Sequence, residues 1–174
     1  MIPNAFLEVA RHVIGIMSEP FVPSVHMKAS YGNHLVSNGR YLRTLVVCAA
    51  PSVTIDGDPN ALYTLVMIDP DVPNPYEPTS QDFVSWIVIN IPGGTSCAQG
   101  TEFLSYNAPK PDIGVHRHVF VLYKQQSRLD GIETLPSRIC FKTRDFAEKH
   151  NLGYPVNLSY FNTKKEIRKR QLMA

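Results

Sequence analysis

The chain has 174 residues, 44% hydrophobic and 18% charged, with a formal net charge of +2. That length supports one domain with a full core; the composition excludes a disordered chain, and so small a charge gives no ground for binding nucleic acid or a membrane surface. Cys48, Cys97 and Cys140, odd in number and far apart, form neither a disulfide framework nor a zinc pattern, which predicts inert, reduced thiols in a cytoplasmic or nuclear protein.

Phe6, Val9, Ala10, Val13, Ile14 and Met17 fall at helical spacing, with Glu8, Arg11 and His12 opposite them. This predicts a short amphipathic helix ended by Glu19-Pro20. Charges this early argue against a signal peptide, and no apolar run is long enough for a transmembrane segment. Val25, Met27, Ala29 and Tyr31 alternate with His26, Lys28 and Ser30, the period of a half-buried strand. Gly32-Asn33 and Ser37-Asn38-Gly39 are turn signals around a short return strand at Leu35-Val36. Residues 40–50 fit neither period. Pro51 to Ile55 reads as an edge strand and Asp56 to Pro59 as a tight loop.

The run Leu65-Val66-Met67-Ile68 is that of a strand buried on both faces. It stops at Asp69-Pro70-Asp71-Val72-Pro73, where prolines fix the backbone around two carboxylates. After a polar, proline-rich excursion a second apolar run, Trp86 to Ile91, closes at Pro92-Gly93-Gly94. Seven of the 14 prolines lie between Pro70 and Pro111, so stiffened loops surround this region. A short strand is predicted at Phe103–Tyr106. Pro109-Lys110-Pro111 then leads to Gly114-Val115-His116-Arg117-His118 and a strong strand reaching Gln125. Ser127 to Pro136 reads as an exposed loop with its tip at Asp130-Gly131. Thr143 to His150 is a helix with Thr143 as its N-cap, stopped by Gly153 and Pro155. Val156 to Phe161 is a last strand, and Lys164 to Arg170 a basic tail. The sum is one β-rich domain with small peripheral helices.

Asp69, Asp71, His116, Arg117 and His118 are the constellation with chemistry in it. One reading is hydrolytic, with Asp71 and His116 serving Ser85, although no Gly-x-Ser-x-Gly elbow surrounds that serine. A second is a metal held by two aspartates and a histidine, without a spacing that selects an ion. A third is a small anion pocket in which carboxylates charge an imidazole that receives a phosphate-like group. The plainest is structural: aspartates capping turns and histidines hydrogen-bonded in the framework. These remain open on the residues alone. Elsewhere Trp86 and Phe120 are assigned to the core, and His12, His26, His34 and His150 to surface or turns.

YTLVMIDPDVPNPYEP followed by WIVINIPGG, then PKP with GVHRHVFVLYKQ, resembles the phosphatidylethanolamine-binding protein family, and the pairing of DPDxP with GxHR is specific to it. PFVPSVHMKASYG, VSNG, FKTRDFAEKHNLGYPV and YFNTKKE extend the likeness over nearly the whole chain and look like its plant branch, which comprises flowering locus T, terminal-flower and "mother of" both types. IPGG, and a loop LPSRICFKTR without tryptophan, lean toward the last. The resemblance implies a mostly β fold, with a large antiparallel sheet packed on a smaller one and an anion pocket at one end. It implies a regulator of flowering or germination rather than an enzyme, with no cofactor or metal, and a monomer that does not touch nucleic acid directly. Carried over by position, the pocket for phosphate or a phospholipid headgroup comprises Asp69, Asp71, Pro73, Ser85 and His116. Position 85 usually holds histidine, so a pocket weakened for phosphoryl anions is expected here. A second surface docks a 14-3-3 adaptor that brings in a bZIP transcription factor. Of its positions this chain keeps Pro92 and Arg128 and departs at Asn60, usually arginine, and Gln99, usually phenylalanine. Phe83 stands where a tyrosine or histidine usually separates activators from antagonists. A pocket acting as a phosphate or phospholipid sensor is the alternative function.

Overall fold

A computed structural model describes residues 4–77 and 81–167. In chain order it contains α1 (Asn4–Ile14), β1 (Met27–Tyr31), β2 (His34–Leu35), β3 (Arg40–Tyr41), β4 (Ser52–Ile55), β5 (Leu62–Asp69), β6 (Phe83–Pro92), β7 (Thr95–Ser96), β8 (Thr101–Leu104), β9 (Val115–Lys124), α2 (Thr143–Lys149) and β10 (Pro155–Lys164). The strands form a six-stranded sheet ordered β3-β10-β9-β5-β6-β8 and a four-stranded sheet ordered β2-β1-β4-β7. The mostly β content is as the sequence predicts, and the large sheet on a smaller one is as the resemblance implies. Pairing is antiparallel except where β3 joins β10 in parallel.

The long strands are apolar on both faces because both faces are covered. Alternate residues Leu65, Met67, Trp86, Phe120 and Leu122 enter the core between the sheets, with Val53, Ile55 and Tyr31 from the small sheet. Their neighbours Val66, Ile68, Val84, Val119 and Val121 meet Phe6, Val9 and Val13 of α1 and Phe146 of α2 on the outer face. Each such side chain taken fully from water contributes about 1.5–3 kcal/mol.

Several expectations need correction. The first helix ends at Gly15, not at Glu19-Pro20: Gly15 has φ of +97° and its N–H donates to the Arg11 carbonyl at 2.8 Å. β4 is not an edge strand but lies between β1 and β7, pairing on both sides. The return strand and the strand after residue 100 each start earlier, at His34 and Thr101. Thr143 is not the N-cap of α2; Lys142 holds that place. The Thr143 hydroxyl instead donates to Oδ2 of the buried Asp82 at 2.7 Å. His12, expected at the surface, pairs through Nε2 with Oδ1 of the same aspartate. Asp82 thereby ties both helices to the entrance of β6. The predicted basic tail lies outside the described residues beyond Ile167. Among the described residues no helix is long and apolar enough to cross a membrane.

Candidate functional site

β5 sits between β9 and β6, so its two ends gather residues from three strands. At the C-terminal end of β5, Asp69 follows Met67 on the inter-sheet face. Two-residue alternation along β9 puts His116 and His118 on that same face with Phe120, and Arg117 on the other. Asp69 and His116 therefore meet, Nδ1 to Oδ2 at 2.6 Å. The other oxygen of Asp69 accepts the Asp71 backbone N–H at 2.8 Å, so the first carboxylate shapes the turn that aims the second.

Asp71 turns to Arg117. It accepts the backbone N–H at 2.8 Å, Nε at 2.9 Å and Nη2 at 2.7 Å, a forked pairing that fixes both groups. Asp69, Asp71 and His116 are all buried. Pro73 follows through a cis peptide bond. Gly114 has φ of +74°, and a Cβ there would stand 2.6 Å from Pro75 Cγ, so glycine is what lets the loop after Asp71 lie against the start of β9.

The charges close on one another. Burial opposes ionisation of Asp71, but the hydrogen bonds and charge of Arg117 outweigh it and hold the carboxyl below its ordinary range. Burial likewise opposes a charged His116, yet Asp69, with help from the Ile113 carbonyl, lifts it above the ordinary histidine value. Nε2 of His116 faces that carbonyl at 3.1 Å. Two acceptors around one ring favour the doubly protonated imidazolium. His118 is the opposite case: burial pushes it down to about 4. It faces the Thr163 hydroxyl through Nε2 at 2.7 Å, while Nδ1 has no partner among the described residues.

Ser85 occupies a bulge in β6, the extra residue between the pairs Met67–Trp86 and Ile68–Val84. Its carbonyl accepts from Nη1 of Arg138 and the N–H of Asn107, each at 2.9 Å. A hydrolytic site would need His116 to take the Ser85 proton, but both ring nitrogens are engaged elsewhere. Among the described residues no group of three or more His, Cys, Asp or Glu is placed to hold a metal ion. Phe83, opposite Asp69 in the register, stands at this same end.

The other end of β5 assembles the second set. Leu62 pairs with Pro92, and Gly93 N–H donates to the Ala61 carbonyl at 3.0 Å. Asn60 and Arg128 line one cleft of about 510 Å³ with Asp58 and Lys124. Gln99 is exposed on a 3₁₀ turn, Cys97–Gln99, that is not part of that cleft. The structure thus brings Asn60, Pro92 and Arg128 to one end of the sheet, while Gln99 precedes β8, whose Thr101 pairs with Ile89 of β6. Asn90, Gln125 and Arg138 were not singled out from the sequence. An amide interrupting the run Trp86–Ile91 was the available signal for Asn90; the others carried none.

Two packed sheets with an acidic, histidine-bearing cluster at one end define a class of small β-sandwich proteins. A carboxypeptidase Y inhibitor complexed with its cognate proteinase superposes with a TM-score of 0.79 at 21% identity, over 91% of each chain. A phosphatidylethanolamine-binding protein from Plasmodium vivax does so at 0.75 and 20%, covering 91% of this chain and 94% of the other. The sequence carries the assignment further. Residues 32–161 match the phosphatidylethanolamine-binding protein family model, and the chain belongs to that family. It is 44% identical to Protein MOTHER of FT and TFL1 homolog 2 of Oryza sativa subsp. japonica, over 94% of this chain and 95% of that one. It is also 44% identical to Protein TERMINAL FLOWER 1 of Arabidopsis thaliana, over 91% and 90%.

Proposed function

We propose that this protein is a non-enzymatic regulator of plant developmental timing, of flowering or germination, acting as a scaffold in a transcriptional complex in cytoplasm and nucleus. Identity of 44% across almost the whole chain to relatives named for the terminal flower and for the mother of FT and TFL1 supports the developmental role. The observation that carries the scaffold reading is the contrast between the sheet ends. At the Asp69 end the charged groups are spent on one another, whereas Arg128 is exposed beside an open cleft. The partner is a 14-3-3 adaptor and, through it, a bZIP factor, with the protein itself monomeric. Calorimetric titration with a plant 14-3-3 protein tests this. Micromolar binding that Arg128→Ala abolishes supports the reading; no binding means that Asn60 and Gln99 have closed the route.

One observation favours a second reading, an anion pocket beside His116. Nδ1 of the buried His116 is held by Asp69, but Nε2 faces a single backbone carbonyl, Ile113, which a phosphate or phospholipid headgroup would displace. Phosphate titration followed by NMR should move the His116 resonances only at high concentration, because Asp71 and Arg117 remain paired. Tight binding would make the pocket, not the scaffold, the main function.

A further inference from the structure

Asn90 interrupts the most apolar strand of the molecule and is buried. It lies in the second bulge of β6, where Ile89 and Asn90 together stand opposite Thr64. Its φ is +56°, a conformation asparagine adopts more readily than bulky or β-branched residues. Its backbone N–H donates to Oε1 of the buried Gln125 at 2.8 Å, and the Thr64 hydroxyl donates to the same oxygen at 2.8 Å.

The two side chains then reach beyond the sheet. Asn90 Oδ1 accepts from Gln125 Nε2 at 2.8 Å and from the Leu129 N–H at 2.9 Å, while Asn90 Nδ2 donates to the Leu129 carbonyl at 2.8 Å. Gln125 Nε2 also donates to the Ser127 carbonyl at 3.0 Å. One amide thus holds both backbone polar groups of Leu129, and the other holds Ser127. Arg128 lies between them, its side chain 60% exposed and its Nε donating to Oδ1 of the similarly exposed Asp130 at 3.1 Å. β9 has already ended at Lys124, so strand pairing does not fix this loop. Apolar residues of similar shape would fill the same space without specifying the loop's backbone.

We infer that Asn90 and Gln125 are positioning residues that hold Arg128 over the cleft it shares with Asn60. This rests on the adaptor-docking reading above, and fixes which buried groups set the pose of that surface. The test uses the full chain and the Asn90→Ala variant, with amide hydrogen exchange by NMR and calorimetry against a plant 14-3-3 protein. Losing these bonds should speed Leu129 amide exchange roughly tenfold or more, while core amides such as Val121 keep theirs. Adaptor affinity of Asn90→Ala should fall about tenfold. Leu129 protection unchanged, exchange rising equally across core and loop, or full affinity in a variant whose Leu129 exchange has risen would each overturn the positioning role. A wild-type chain that does not bind the adaptor would sink the docking reading and this role together. Unchanged Leu129 exchange would sink this role alone.

Discussion

β6 carries a bulge toward each end, and the ends are built on opposite electrostatic terms. At Ser85 the neighbouring cluster is ionic, Asp69 with His116 and Asp71 with Arg117, each pair within 2.7 Å. At Asn90 it is neutral, a set of amides and backbone groups. They lie along β5 from each other, the five residue steps from Thr64 to Asp69 or about 17 Å apart. Ionic pairs are costly to bury and worse to break, so the first end is rigid but fragile. Amides satisfied in both directions carry no net charge and leave a nearby cation such as Arg128 open to solvent. One end is closed upon itself; the other holds something out.

The largest effect should come from breaking the ionic end. Arg117→Ala leaves Asp71 buried without its cation and should cost about 3–5 kcal/mol in urea denaturation. A cost under about 1 kcal/mol would mean that the pair is not what closes this end. His118 should give the next effect. Its folded-state value, about 4, lies below the ordinary value of 6.5, so the unfolded chain binds the proton first. Stability is then present above pH 6.5 and is lost as pH falls toward 4, by about 3 kcal/mol. His118→Phe should flatten that slope in thermal melts across the window. His116, raised rather than lowered, works the other way, its contribution fading as pH rises.

The neutral end should resist charge. Asn90→Asp removes the donor to the Leu129 carbonyl and sets two acceptors face to face, costing about 1–3 kcal/mol by chemical denaturation. A neutral result would erase the electrostatic distinction between the ends. Smallest of all, Arg128→Ala should change stability by less than about 0.5 kcal/mol, because its pairing with Asp130 is exposed. Adaptor binding should still disappear.

The strands were legible because period and punctuation agreed. Leu65 to Asp69 and Val115 to Lys124 are strand runs bounded by proline or glycine, and the two-residue period sets Asp69 with Met67 and His116 with Phe120; the pairing of β5 with β9 makes those faces one. What stayed hidden depended on contacts between residues far apart in sequence. Thr143 has the chemistry of an N-cap, yet a buried carboxylate 61 positions away takes its hydroxyl. Gly15 ended the first helix ahead of a proline five residues on, since a left-handed glycine needs no other stop signal. Arg117 was visible beside His116, but its role as the counter-charge of Asp71 was not, because a fork across 46 residues leaves no local pattern. The neutralisation of Asp71, sought from sequence at position 85, comes from Arg117.

The parallel joining of β3 to β10 also governs how the molecule meets copies of itself. An unpaired strand edge is a template for association with another chain. β10, ten residues long, would be such a template, but β3 pairs with Phe161 and Asn162 along its outer side. β3 is itself only Arg40–Tyr41, and Arg40, Arg43 and Lys164 put positive charge along that flank. At the far side β8 is four residues long, with Glu102 engaged by the Trp86 indole. Short borders at both limits of the large sheet leave little unpaired edge there for another chain to join.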